Sequence, residues 1–133
     1  MTATTLDTNI CSYILRRQPQ SVLAPLSRLK PESVFISVVV AAELRYGVEK
    51  RGSERLSQWL ERWLAGFSLR SWTDAASREY ASLRAQLEKQ GTPIGNMDLL
   101  IAAHALAENA VLVTNNEREF SRVPGLRIEN WAV

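Results

Sequence analysis

The run VFISVVVAAELRYGVE, residues 34–49, carries two structural signals in succession. Val34, Phe35 and Ile36 are consecutive β-branched or aromatic residues, the pattern of a buried strand. Ser37 follows, and its hydroxyl can accept a backbone N–H at the start of a helix running to about Glu49. A buried strand that passes through a capping serine into a helix is the unit from which α/β folds are built.

The same alternation extends in both directions. Upstream, residues 3–6 form a short strand that ends at Asp7-Thr8-Asn9. A helix follows through Leu15, Pro19 breaks it, and a second short helix covers residues 21–29. Downstream, Leu56, Trp59, Leu60, Trp63 and Leu64 have helical spacing, and residues 67–72 read as a strand. Asp74 opens a longer helix with Ala76, Tyr80, Leu83 and Leu87 on one face. After the loop Gly91-Thr92-Pro93-Ile94-Gly95, Asn96 caps a helix that begins at Met97 and runs to about Glu108. Val111, Leu112 and Val113 form a buried strand that ends at Thr114-Asn115-Asn116; one helical turn over 117–120 and a last strand at Ile128 complete the chain. Strands alternating with helices imply right-handed crossovers and a central, mostly parallel sheet flanked by α-helices. With 133 residues and no repeat or linker, residues 1–133 are expected to form a single domain.

Composition narrows the chemistry. Sixteen basic against fourteen acidic side chains leave a net charge of +2, which permits an anionic partner without arguing for one. A lone cysteine, Cys11, excludes an intrachain disulfide and a cysteine-built zinc site, and fits a reducing cytoplasm. The opening MTATTLDTNI has neither the basic nor the apolar segment of a signal peptide, and the longest apolar stretch, around residues 38–42, is too short to span a membrane.

Four acids break the patterns around them. Asp7 directly follows the first strand, as an N-cap or as a site residue. Glu43 sits on a helix within the apolar run VVVAAEL, where a carboxylate needs a cation, donors or a salt bridge such as one to Arg45. Asp98 shares a helix face with Ile101, Ala102 and Ala105 and lies in a first turn, where the helix dipole favours an anion whether or not it has a chemical role. Glu119 lies beyond the strand 111–113, in a run that also holds Glu117; alone it reads as a solvated loop acid. A parallel sheet can bring all four to one edge, and functional groups of such sheets collect beyond the carboxyl ends of the strands. Converging carboxylates repel one another unless cations hold them. Oxygen-only ligands favour Mg2+ or Mn2+, ions that polarise a phosphodiester and activate water.

LDTN at 6–9, SVVVAAELRYG at 37–47, GNMDLLIAAHA at 95–105, VTNNEREF at 113–120 and PGLRIENW at 124–131 together resemble the PIN-domain ribonuclease toxins of the VapC family, in order and over nearly the whole chain. The resemblance implies a PIN fold, Mg2+ or Mn2+ as cofactor and endoribonuclease activity. It implies that Asp7, Glu43, Asp98 and Glu119 match the family's catalytic, metal-binding acids, with Asn9, Thr114 and Asn116 as supporting polar residues. Many relatives carry Asp where Asn116 stands, which leaves fewer charges here to hold a second ion. The likeness further implies a homodimer in the cytoplasm, silenced by a VapB-like antitoxin and reaching operator DNA only through that complex. The implied substrate is RNA, a tRNA and in this subgroup the initiator tRNA. The alternatives are a PIN nuclease of RNA processing outside any toxin–antitoxin pair, and a non-catalytic RNA- or partner-binding domain.

Other residues have plainer readings. Trp59 and Trp63 read as core or protein interface rather than base-stacking platforms, and His104 as a packed or surface residue rather than a catalytic base. Arg16, Arg17, Lys50, Arg51 and Arg55 are candidates for phosphate contact.

Overall fold

The computed structural model describes residues 2–133. Its strands are β1 (Thr4–Leu6), β2 (Val34–Ser37), β3 (Ser68–Arg70), β4 (Val111–Val113) and β5 (Ile128–Glu129). They form one sheet in the order β3-β2-β1-β4-β5 with every pairing parallel. The helices are α1 (Thr8–Arg16), α2 (Leu23–Ser27), α3 (Val38–Arg51), α4 (Glu54–Leu64), α5 (Asp74–Lys89), α6 (Asn96–Ala107) and α7 (Glu117–Phe120).

β1 is the middle strand, and all three of its residues are buried. A threonine can sit there because the Thr5 hydroxyl donates to the Phe35 carbonyl at 2.9 Å, which satisfies the polar atom inside the core. Leu6 pairs in register with Val113, so β1 and β4 end together. Ile10 and Ile14 of α1, Val40 and Ala41 of α3, and Leu99, Ile101, Ala102 and Ala105 of α6 close over the sheet in one core. α6 is buried over most of its length, with Asp98 in its first turn. Ser37 caps α3, its hydroxyl accepting from the Val39 amide, and α3 ends where Gly52 takes a left-handed conformation (φ 68°).

Three boundaries differ from the sequence reading. α6 begins at Asn96, not after it: Gly95 holds the cap position without a side chain, and its carbonyl accepts from the Leu99 amide. The 21–29 segment is a 3-10 turn, Gln20–Val22, followed by the short α2. β3 spans only Ser68–Arg70, mostly exposed at the sheet edge; Trp72 leaves the strand and donates its indole N–H to the Leu100 carbonyl at 3.0 Å. Among the described residues, no helix is long and apolar enough to cross a membrane.

Candidate active site

The strand order reverses direction at β1. The chain builds outward through β2 and β3 on one side, then crosses to β4 and β5 on the other. Such a switch leaves a crevice beyond the carboxyl ends of the two strands that flank it. Asp7 is the first residue after β1 and Thr114 the first after β4. The Asp7 amide donates to the Val113 carbonyl at 3.0 Å, so the two strand ends stay joined up to the crevice.

Asp7 is both helix cap and cavity wall. Its Oδ1 accepts from the Ile10 amide at 2.9 Å, and it lines a cavity of about 140 Å³ with Thr8, Asn9, Glu43, Asp98, Asn116 and Phe120. Burial pushes the Asp7 carboxyl above its ordinary range; the Thr114 hydroxyl and the Ile10 amide pull it back, and the nearby Glu43 charge raises it again. Thr114 is itself fully buried, and its Oγ1 accepts from the Asn116 amide at 2.9 Å.

Glu43 reaches the cavity from α3 and is half-buried. Its partner is the Thr8 hydroxyl, which donates to Oε1. Arg45 turns away to pair with Glu61 at 2.9 Å on the surface, so it does not neutralise Glu43, and among the described residues no ion pair includes Glu43.

Asp98 enters from the first turn of α6. Its pKa is pushed up to about 7, by burial first, then by a hydrogen bond with Glu119, then by the charges of Glu119, Asp7 and Glu43. Glu119 does not line the cavity; it stands behind Asp98. Its Oε1 accepts from the Gly95 amide at 2.7 Å and its Oε2 from the Asn116 side-chain amide at 2.6 Å. Burial pushes Glu119 up. The Asp98 hydrogen bond, the two amide donors and the nearby Arg122 outweigh it, and its pKa lies below the usual value. The acids are thus one after each of β1 and β4, one on α3 and one on α6. Three face the cavity, and the fourth is tied to the third.

The donor set at the cavity fits a hard divalent cation: carboxylate, hydroxyl and amide oxygens, with neither sulfur nor imidazole among the lining residues. A carboxyl whose pKa is raised to about 7 by burial first and then by three neighbouring acids is what clustered ligands look like without their counter-charge. Among the described residues, no three acidic, histidine or cysteine side chains are already drawn together as a ligand shell. Asp7, Glu43 and Asp98 surround the cavity rather than close on a point within it.

Asn9 and Asn116 also line the cavity, and Thr114 supports Asp7 from beneath. Two participants were not singled out in the sequence. Thr8 holds Glu43, and its signal is a hydroxyl residue directly after Asp7, at the helix start. Gly95 offers its amide to Glu119, and a Cβ there would lie 3.7 Å from Glu119 Oε1 and 3.9 Å from Asp98 Oδ2. Arg16 and Arg51 line a neighbouring groove, whereas Arg17, Lys50 and Arg55 line neither it nor the cavity. Trp63 packs on Phe67 with ring centroids 4.6 Å apart, and Trp59 remains 42% exposed at the groove.

The geometry has counterparts among known proteins. The PIN domain family model matches residues 4–126. Ribonuclease VapC2 of Rickettsia felis is 45% identical over 128 residues, 95% of this chain and 96% of that protein. The tRNA(fMet)-specific endonuclease VapC of Shigella flexneri is 39% identical, over 96% of each chain. Among solved structures, that of VapBC2 from Rickettsia felis bound to a DNA fragment from its promoter superposes with a TM-score of 0.90 at 42% identity, covering 98% of this chain and 99% of the other. Fold, length and sequence agree from the first strand to the last, and the chain belongs to the PIN-domain family, among its VapC ribonucleases.

Proposed function

We propose that this chain is the toxin of a type II toxin–antitoxin pair, an endoribonuclease that hydrolyses RNA with Mg2+ or Mn2+ held directly by Asp7 and Asp98, while Glu43 and Glu119 act through water or orient the attacking water. The observation that carries the reading is the cavity at the sheet's switch point, walled by three of those carboxylates and backed by the fourth. When bound, the cation supplies charge stabilisation at the scissile phosphate and lowers the pKa of water. The chain's own residues do the rest. Asp7 is held by a cap bond and by Thr114, so its carboxylate cannot turn away. The Asp98 carboxyl, its pKa raised to about 7, shares a proton with Glu119; a cation in the cavity would favour its ionised form, and Glu119 would then keep the Gly95 amide and the Asn116 side-chain amide as donors. Thr8 steers Glu43 toward the same space. Asn9 and Asn116 offer amide donors to an oxyanion without adding charge.

The Shigella relative's name points to initiator tRNA as substrate class. Arg16 and Arg51 border the groove beside the cavity, where they can meet backbone phosphates. The groove is also walled by Leu15, Leu44, Val48, Leu56, Trp59 and Leu60, and it opens to the cavity through Thr8, Asn9 and Glu43, which line both. An apolar trough leading into an acidic hole fits an amphipathic antitoxin segment carrying a basic side chain. On this reading the toxin is a cytoplasmic homodimer that reaches operator DNA only through its antitoxin; the superposed Rickettsia felis VapBC2, bound to a fragment of its promoter DNA, supports the link to an antitoxin complex and to DNA.

End-group analysis of the RNA products tests the chemistry. Hydrolysis by water at phosphorus leaves a 5′-phosphate and a 3′-hydroxyl, requires Mg2+ or Mn2+ and stops with EDTA. Products with 2′,3′-cyclic phosphates, or cleavage that persists in EDTA, refute it.

A further inference from the structure

His104 and Ser37 are 1% and 2% exposed, and His104 Nδ1 lies 2.8 Å from Ser37 Oγ. The pair joins two elements distant in sequence: the last turn of α6 and the residue that caps α3. Ser37 Oγ already accepts from the Val39 amide at 3.2 Å, and His104 Nε2 has no hydrogen-bond partner. An orphaned buried N–H is rarer and costlier than a bare lone pair, which places the proton on Nδ1, donating to Ser37. The Phe35 ring lies against the imidazole with centroids 5.3 Å apart, and the Arg70 guanidinium lies over the Phe35 ring at 4.4 Å from its centroid. The charged groups nearby, Glu108 and Arg70, are paired with each other at 2.5 Å. Burial, with Arg70 and against Glu108, lowers the His104 pKa and keeps the ring neutral.

The geometry points to His104 as a positioning residue: its hydrogen bond to Ser37 locks α6 to the start of α3, and so sets where Asp98 and Glu43 stand relative to each other. The inference rests on the metal-dependent reading above. Asp98 precedes His104 by six residues on α6, and Glu43 follows Ser37 by six on α3. Each carboxylate is therefore roughly 9 Å of helix from the bolt. A tilt of about 10° at the bolt moves each acid by about 1.5 Å, beyond the roughly 0.5 Å that a metal or catalytic constellation tolerates.

The test measures Mn2+ affinity by calorimetry without RNA, and kcat and KM on a tRNA transcript, for wild type, His104→Leu, His104→Asn and His104→Gln. Asn places its side-chain amide where Nδ1 stands; Gln places it where Nε2 stands. The Leu and Gln variants are expected to bind Mn2+ about 3- to 10-fold more weakly and to lose about 10- to 100-fold in kcat at unchanged KM. His104→Asn is expected to stay within about 3-fold of wild type on both counts, and Ser37→Ala, which also loses the α3 cap, to cost less in the His104→Leu background than in wild type. The Asn and Gln variants keep the comparison intact if the Leu variant does not fold. Asn no better than Gln, or a Leu variant equal to wild type, overturns the assignment while leaving the functional reading in place. Wild-type protein that binds no Mn2+ overturns both.

Discussion

Asp98→Asn should stabilise the unliganded protein at alkaline pH while destroying its activity. In the folded chain the Asp98 pKa is raised from 3.8 to about 7 by burial and by its acidic neighbours. That gap corresponds to about 4 kcal/mol at 1.36 kcal/mol per pKa unit. The side chain is only half withdrawn from water, so screening reduces the usable figure to about 2 kcal/mol. The sign follows from proton binding. Below about pH 4 the carboxyl is protonated in both states and contributes no difference. Between pH 4 and 7 the unfolded chain releases the proton while the folded chain keeps it, so stability falls as pH rises, and above 7 the full deficit is present. Asn never ionises and can still donate to Glu119. Its advantage should be near zero at pH 4 and about 2 kcal/mol at pH 8, or about 7 °C in thermal midpoint for a domain of this size. Urea and thermal unfolding in EDTA at the two pH values measure it. With saturating Mn2+ at pH 8 the order should reverse, because the ion stabilises only the chain that binds it. An Asn variant less stable than wild type at pH 8 in EDTA, or one whose advantage is the same at both pH values, refutes the electrostatic account of this cluster.

Asp7→Asn should cut the rate of tRNA cleavage by at least about 100-fold while changing stability by less than about 1 kcal/mol, since Asn accepts the Ile10 amide as a cap equally well; unfolding curves beside initial rates separate the two effects. Glu119→Gln should cost only about 10-fold in kcat, because one oxygen can still accept from Gly95 and a rotated Asn116 amide can face the new NH2 group; a loss equal to that of Asp98→Asn would make Glu119 a direct ligand. Trp59→Ala should weaken capture of the antitoxin by about 10- to 30-fold in a titration and leave RNA cleavage by the free toxin intact, because the exposed ring lines the apolar groove and not the acidic cavity.

Local chemistry in the sequence determined the parallel α/β architecture. Val34 to Ile36 and Val111 to Val113 are short, apolar and β-rich, the pattern of buried strands, and Ser37 announces a helix by offering a cap oxygen, whereas the caps Ser53 and Thr73 emerged only in the structure. The acids stood out because each violated a local pattern, Glu43 within VVVAAEL above all. Local pattern has no reach across the chain, and the tertiary structure alone decided the rest. Only the fold showed that Arg45 belongs to Glu61 and that Thr8 belongs to Glu43, because those pairings join residues whose spacing along the chain carries no signal. Only the switch point at β1, with Leu6 in register with Val113, placed Asp7 and Thr114 side by side. The same is true of Glu119, indistinguishable in sequence from the solvated Glu117, until the Gly95 amide, Asn116 and Asp98 were found to converge on it. It is true also of His104, whose partner lies 67 residues away. Helix and strand periodicity records how a side chain meets the core. Which side chain it meets there depends on crossovers and packing angles that no single segment contains.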